Sequence, residues 1–173
     1  MRENTTIDRD LGEKALLRQL GQARNSFADA GYWGAAKHPD GEDTIPNIAA
    51  KNEYGAGRTP ERSFIGSTVD ENLRKYERKR DELLSAMLAG KTTIEAALTA
   101  LAEYGISDIR AKITKGDPNW PALADATIDA RRRRHPTSPK GGERPLFDTG
   151  YLAKSGGTRV FINGRKVADD GGK

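Results

Sequence analysis

Cysteine is absent from all 173 residues, which excludes disulfide cross-links and thiolate metal sites. Histidine is nearly as scarce. Its two copies, His38 and His135, lie in unrelated contexts without ligand spacing, which argues against a catalytic zinc site. Aromatic residues make up 6% of the chain and hydrophobic residues 35%. The apolar share is below the usual range of about 45–50%, which also counts glycine, yet above that of disordered chains. These figures imply one domain with a modest core and a heavily charged surface. So lean a chain gains stability by burying a face against copies of itself or a partner, so oligomerisation is expected. No window approaches the roughly 18 apolar residues of a membrane helix, and the opening MRENTTIDRD lacks the apolar core of a signal peptide. The expected setting is therefore soluble and cytoplasm-like, with no membrane partner.

Helical periodicity fills the first two thirds of the chain. Leu16, Leu20, Ala23 and Phe27 recur at helical spacing, which predicts a helix over about 7–30 that Gly31 can end. Tyr32 to Lys37 reads as a short strand and Pro39-Asp40-Gly41 as a turn. Ile45 to Tyr54 has helical spacing and stops at Gly55 and Gly57. Val69, Leu73, Tyr76, Leu83 and Met87 follow a seven-residue rhythm on a helix over about 67–89, broken by Arg80 where an apolar residue is expected. Gly90 closes that helix, and Thr92-Thr93-Ile94-Glu95 reads as a capping box. The helix it opens carries Ile94, Leu98, Leu101, Ile109 and Ile113 on its expected apolar face. The connection at Gly90-Lys91 is short, so residues 67–115 should form an antiparallel helical hairpin that serves as core and subunit interface.

The character changes after Gly116. A proline-rich stretch surrounds Trp120, a short helix is expected from about Ala124 to His135, and Pro136 stops it. Residues 136–147 read as a mobile loop. Near the end, TRVFI, Asn163-Gly164 and RKV spell a β-hairpin, and the final ADDGGK reads as frayed. Trp33 and Trp120 are expected as core or loop anchors, and His38 as an exposed turn residue. Glu53 and Arg62 either pair to fix the loop around Gly55 and Gly57 or stand as two solvated charges.

The net charge of +4 is concentrated in one place: residues 131–144 hold Arg131, Arg132, Arg133, Arg134, Lys140 and Arg144 against Glu143 alone. Clustered guanidiniums can neutralise nucleic-acid phosphates. They can equally close a helix C-terminus, with Asp129 pairing to Arg133, or bridge to a neighbouring subunit. No sequence-reading DNA motif accompanies them.

Asp148-Thr149-Gly150 spells the catalytic tripeptide of retroviral-type aspartic proteases. Such enzymes hold that loop between β-strands and face it with a second copy. Here a Pro/Gly loop precedes Asp148, and no second Asp-Thr/Ser-Gly occurs. The competing expectation is a helix cap: the Asp148 side chain accepts from the free N–H groups of a short helix over Gly150 to Lys154 that Gly156-Gly157 ends. Leu146, Phe147, Tyr151 and Leu152 then anchor the preceding loop to the core.

Two separated blocks carry a resemblance. Ile48-Ala49-Ala50-Lys51-Asn52-Glu53-Tyr54-Gly55, followed by Thr59-Pro60-Glu61-Arg62-Ser63-Phe64, is similar to a short helix ending in (His/Asn)-Glu-(Phe/Tyr)-Gly and then Ile-Pro-x-Arg-Pro-Phe. Trp120-Pro121-Ala122-Leu123, Thr127, the basic run, Pro145-Leu146, Asp148-Thr149-Gly150, Leu152 and Ser155 are similar to W-x-P-L...T...K...P-L-x-D-T-G-x-L-x-x-S. Both patterns belong to the virion-morphogenesis or tail-completion proteins of long-tailed bacteriophages, the head-to-tail joining (neck) proteins of siphophages and Mu-like phages. Thr59 stands where that family often has an aliphatic residue, and Ser63 replaces its usual second proline.

The resemblance implies an α+β fold in which several helices, including the long hairpin, pack on a small antiparallel sheet with extended loops. It implies a structural protein of the virion, present in the host cytoplasm during assembly, that forms a homo-oligomeric ring in the neck. Six copies follow from sixfold tails, or twelve from a twelvefold portal. Its partners are then the head connector or portal-side protein and the tail terminator or tail tube protein, with non-specific contact to DNA in the channel. Neither catalysis nor a cofactor is expected. Candidate interface residues are Tyr54, Arg62, Phe64, Trp120, Arg131, Arg132, Arg133, Arg134, Leu146 and Phe147. The alternative from another class is a basic nucleic-acid-binding accessory protein, for which the arginine run is the main support.

Overall fold

The computed structural model describes residues 12–39, 41–134 and 143–171. Among them are six helices and three strands: α1 Glu13–Ala23, β1 Phe27–Gly31, α2 Ile45–Tyr54, α3 Gly66–Leu88, α4 Ile94–Lys115, α5 Asp125–Arg134, α6 Tyr151–Ser155, β2 Gly157–Ile162 and β3 Arg165–Asp170. The strands form one antiparallel sheet in the order β1-β2-β3. The class is α+β.

α4 is the spine. It packs against α3 on one side, β1 and β2 on another, and α6 and α1 elsewhere. Its buried residues are Ala97, Ala102, Ile106, Ile109 and Ile113, a mix of small and branched side chains that lets several elements approach one helix. The expected face of Ile94, Leu98 and Leu101 is only half-buried at its N-terminal end, whereas Ile109 and Ile113 are in the core. The C-terminal half is enclosed where Gly105 approaches Ala30 of β1 and where Ile106 and Arg110 approach Gly156. Thr93 caps α4, its Oγ1 accepting from Ala96 N at 3.2 Å. The expected box from Thr92 to Glu95 is therefore displaced by one residue, and Ala96 at the third position returns no side-chain bond.

α3 and α4 run antiparallel. Lys75 Nζ meets Asp108 Oδ1 at 2.7 Å and Lys112 Nζ meets Glu71 Oε1 at 2.7 Å. Along α3, Met87 is buried and Tyr76 and Leu83 are half-buried, but Val69, Leu73, Leu84 and Leu88 are exposed. The seven-residue rhythm is thus split between a packed flank and an open one.

The sheet corrects several local readings. The first described helix stops at Ala23, and Phe27 to Gly31, expected at its end, forms β1. Ser26 Oγ bonds back to Gln22 O at 2.6 Å, the local competition that ends helices at serine. The Phe27 ring stacks on Phe161 at 4.5 Å, a cross-strand pair worth roughly 0.2–1 kcal/mol over alanines. The strand expected over Tyr32 to Lys37 is absent there; Lys37 alone bridges to Thr44.

The hairpin at β2 and β3 turns at Asn163 and Gly164, with φ of 51° and 74°, the two positive values of a type I′ turn. β3 continues through Asp170, so Ala168, Asp169 and Asp170 are paired rather than frayed. Val160 faces α4 and is fully buried. On the opposite face Arg159 lies 4.3 Å over the Trp33 ring and meets Asp29 at 3.1 Å. Residues 136–142 of the expected mobile loop lie outside the described residues, as does His135 at the end of the expected short helix; Leu146, near the loop's far end, is buried.

Gly157 sits where β2 and β3 press together, and a Cβ there would collide with the backbone of Asp170 and Gly171. Gly157→Ala should lower stability by about 1–3 kcal/mol, the usual cost of overpacking. Gly41→Ala, where a Cβ meets nothing within 4 Å, should stay within about 0.5 kcal/mol. Urea unfolding followed by circular dichroism reads both.

Candidate functional site

The two sequence blocks converge at one end of the molecule, around a single carboxylate. α2 carries Glu53 in its last turn, and Gly55, at φ 71°, reverses the chain. The segment that follows reaches the N-terminus of α3, where the first backbone N–H groups have no helical acceptor. Glu53 supplies one. Its Oε2 accepts from Phe64 N and Ile65 N, and its Oε1 from Gly66 N and Ser63 Oγ, each at 2.8 Å. Gly66 makes the approach possible, because a Cβ there would stand 3.1 Å from Oε1. The negative charge also opposes the positive end of the α3 dipole. Burial alone would raise the Glu53 pKa, but the bonds from Ile65, Gly66, Phe64 and Ser63 outweigh it and hold the carboxyl below the ordinary glutamate range.

Glu53 and Arg62 are both buried, at 6% and 5% exposure. Neither expectation for them holds: they are not solvated, and each is held by other groups rather than by its neighbour. Arg62 N donates to Asn52 O at 2.7 Å, while the guanidinium donates from Nε to Pro121 O at 2.8 Å and from Nη2 to Ala122 O at 3.0 Å. Trp120 Nε1 donates to Ser63 O at 2.9 Å. The segment 62–64 and the segment 120–122 are therefore stitched together from both sides, across the whole α3–α4 hairpin. Phe64 is fully buried beneath this seam, edge-on to Tyr32 at 5.9 Å between ring centroids.

This geometry sorts the candidate interface residues. Arg62, Phe64 and Leu146 are core, and Trp120 and Phe147 are half-buried against it. Tyr54 is 78% exposed. Of the arginine run, Arg132 meets exposed Glu143 at 2.6 Å, and Arg133 is exposed. Arg131 turns inward, with Nη1 donating to Arg144 O at 2.9 Å and to Phe147 O at 3.4 Å.

Asp148 is not a helix cap. Gly150, at φ 75°, occupies the cap position of α6 without a side-chain bond, and Thr149 Oγ1 takes Tyr151 N at 3.3 Å. Asp148 instead faces Arg134 Nη2 at 3.0 Å and Arg131 Nε at 3.7 Å. Two guanidiniums on α5 attract the carboxylate more strongly than a one-turn helix can. The loop that carries Asp148 leads into α6 rather than hanging between β-strands, which is not the setting the protease reading requires.

Beside Asp148 lies a cavity of about 250 Å³. Arg62, Arg131, Arg134, His38 and Asp148 contribute its polar wall, and Ile48, Leu123, Leu146 and Leu152 its apolar wall. The His38 ring stands edge-on to Tyr151 at 5.3 Å, so it belongs to this wall instead of an exposed turn. Burial pushes the Arg131 guanidinium down from its ordinary pKa, Asp148 counteracts this, and Arg134 and Arg62 add to it by like-charge repulsion. Among the described residues no group of three or more His, Asp or Glu side chains is placed to hold a metal ion. The partners that sequence reasoning missed are Ser63 and the carbonyls of Pro121 and Ala122. Ser63 alone left a signal, as a hydroxyl where a proline is the pattern.

Comparison of the chain with protein-family models, with curated proteins and with solved structures finds no match.

Glu53→Gln keeps the shape of the carboxylate and removes its charge. A stability loss of about 2–3 kcal/mol is expected, because three buried or partly buried N–H donors lose a charged acceptor. The folded pKa of Glu53 is depressed, so its contribution is full above the unfolded value near pH 4.5 and is lost as pH falls through the folded value. Wild-type stability should therefore decline below about pH 5 more steeply than that of Glu53→Gln; parallel pH profiles of the unfolding free energy would exclude this role.

Proposed function

We propose that this chain is a structural protein of a long-tailed bacteriophage, completing the tail and joining it to the head as one subunit of a homo-oligomeric ring in the neck, without catalysis. The observation that carries the reading is the seam between the two blocks that resemble the tail-completion family. Ser63 and Trp120, 57 residues apart, and Arg62 with Pro121, 59 apart, are mutual partners. Two blocks that resemble the family separately in sequence thus build one structural unit, as a shared fold would require.

The surface supports an assembly role. Tyr54 is 78% exposed, Leu17 58% and Leu73 53%, with Val69, Leu84 and Leu88 along the open flank of α3. Large apolar side chains left in water on a chain with so lean a core favour coverage by neighbours. A closed ring uses two different patches repeated around an axis, and the exposed α3 flank and Tyr54 are candidates for them. The partners are then further copies of the chain, six or twelve, with a portal-side protein and a tail terminator or tube protein. The nucleic-acid-binding alternative draws less support, because Arg131 and Arg134 are directed at Asp148 and Arg132 at Glu143.

Deleting the gene from its phage should give filled heads and complete tails that remain separate in electron micrographs, with joining restored by the wild-type chain supplied in trans. Joined, infectious particles from the deletion would refute the reading. Light scattering of the purified chain over a range of concentrations should show self-association. A strict monomer whose only activity is salt-dependent DNA binding would instead support the accessory-protein alternative.

A further inference from the structure

The cavity beside Asp148 holds a guanidinium that is bonded to no carboxylate among the described residues. Arg62 is 5% exposed, and its Nε and Nη2 donate to the neutral carbonyls of Pro121 and Ala122. Burial pushes its pKa down with no carboxylate acting to raise it. An isolated buried charge is unfavourable, and two neutral carbonyls offset only part of that. Arg62 lines the cavity together with Arg131 and Arg134, close enough for Arg62 and Arg134 to repel Arg131, and Asp148 faces both Arg131 and Arg134. The lining also includes the aliphatic side chains of Ile48, Leu123, Leu146 and Leu152. Such a site favours an occupant that carries both a negative charge and apolar surface.

We propose that this cavity is a socket for an acidic side chain of a partner polypeptide, an aspartate or glutamate on an extended segment with an aliphatic neighbour. At about 250 Å³ it is smaller than the roughly 300–1,000 Å³ of small-molecule and cofactor sites, and it suits one or two side chains. Duplex DNA fits poorly. Its phosphates present a charge every ~1.7 Å along a smooth ridge, whereas the Arg131 side chain is 11% exposed and Arg62 lies deeper still. A peptide side chain can enter such a recess, and its carboxylate can meet guanidiniums in a bidentate geometry. The socket deepens the assembly reading, since it states what chemistry a neighbouring chain presents to this end of the molecule.

The test uses a random heptapeptide library, displayed and selected on the immobilised full chain, with the recovered peptides measured by fluorescence anisotropy. Recovered sequences should be enriched in Asp or Glu beside Leu, Ile or Val, and replacing that acid by its amide should weaken binding about tenfold or more. Arg131→Gln and Arg134→Gln should weaken it to a similar degree. Lys154→Gln, a charge change outside the cavity, should leave it unchanged. Arg62→Gln also removes a tie to residues 121 and 122, so Arg134→Gln, whose side chain is 41% exposed, serves as the variant that keeps the fold, checked by circular dichroism. No acidic enrichment, or equal loss in Lys154→Gln, overturns the proposal. Displacement of the peptide by a short DNA duplex, with duplex binding lost in Arg131→Gln, also overturns it and identifies a phosphate site. The gene deletion separates the two readings: absent peptide binding removes the socket and leaves the neck role standing, while joined particles from the deletion remove the neck role and leave the socket.

Discussion

The carboxylate of Glu53 at the start of α3 is the interaction on which the rest of this end of the molecule depends. A helix of this length begins with backbone donors that must find acceptors, and here they are buried or partly buried, so water has limited access to them. One side chain from the preceding helix accepts from Phe64, Ile65 and Gly66 and from the Ser63 hydroxyl. The segment between the two helices is thereby fixed at both ends. Arg62 and Phe64 acquire defined positions from it, and they in turn hold Pro121, Ala122 and Trp120. What looks in sequence like a glycine- and proline-bounded loop is an ordered strap, because a charged acceptor replaces the hydrogen bonds that regular structure would otherwise provide.

The second organising element is α4, which is touched by both the sheet and the helices. Phe64 of the strap shares a core cluster with Ile106, Ile109 and Ile113 of α4, and Ala30 of the sheet packs against the same cluster. Such a core leaves little apolar surface to spare, yet Val69, Leu73, Leu84 and Leu88 stand in water along α3. Removing that flank from water would contribute roughly 25 cal/mol for each Å² covered. The buried charge of Arg62 points the same way from the opposite direction: it costs stability in the isolated chain, and an anionic partner would recover part of that cost. Both features are unfavourable in a free monomer and favourable in an assembly, which is the physical content shared by the proposed neck role and the proposed socket.

Several elements were legible from the chain alone. Ile45–Tyr54 has its helical spacing and a Gly55 stop, and α3 and α4 are long, periodic and separated by Gly90. Asn163-Gly164 between alternating residues announces a hairpin. These readings rest on groups within a few residues of one another, where periodicity and turn chemistry act. The same reasoning failed at Phe27, whose helical spacing continues that of Leu16 and Leu20 while its ring stacks on Phe161. It failed again at Asp148, where the letters of a cap were present but two arginines from α5 took the carboxylate.

By itself, then, the sequence determined the helix spans of α2 through α5, the final turn and the absence of thiol chemistry. Only the tertiary structure decided who partners Glu53, Arg62, Trp120 and Asp148, and which face of α3 remains open. The reason is one of distance along the chain. Arg62 reaches carbonyls 59 and 60 residues away, and a backbone carbonyl belongs to every residue type, so no pattern of side chains can mark it in advance.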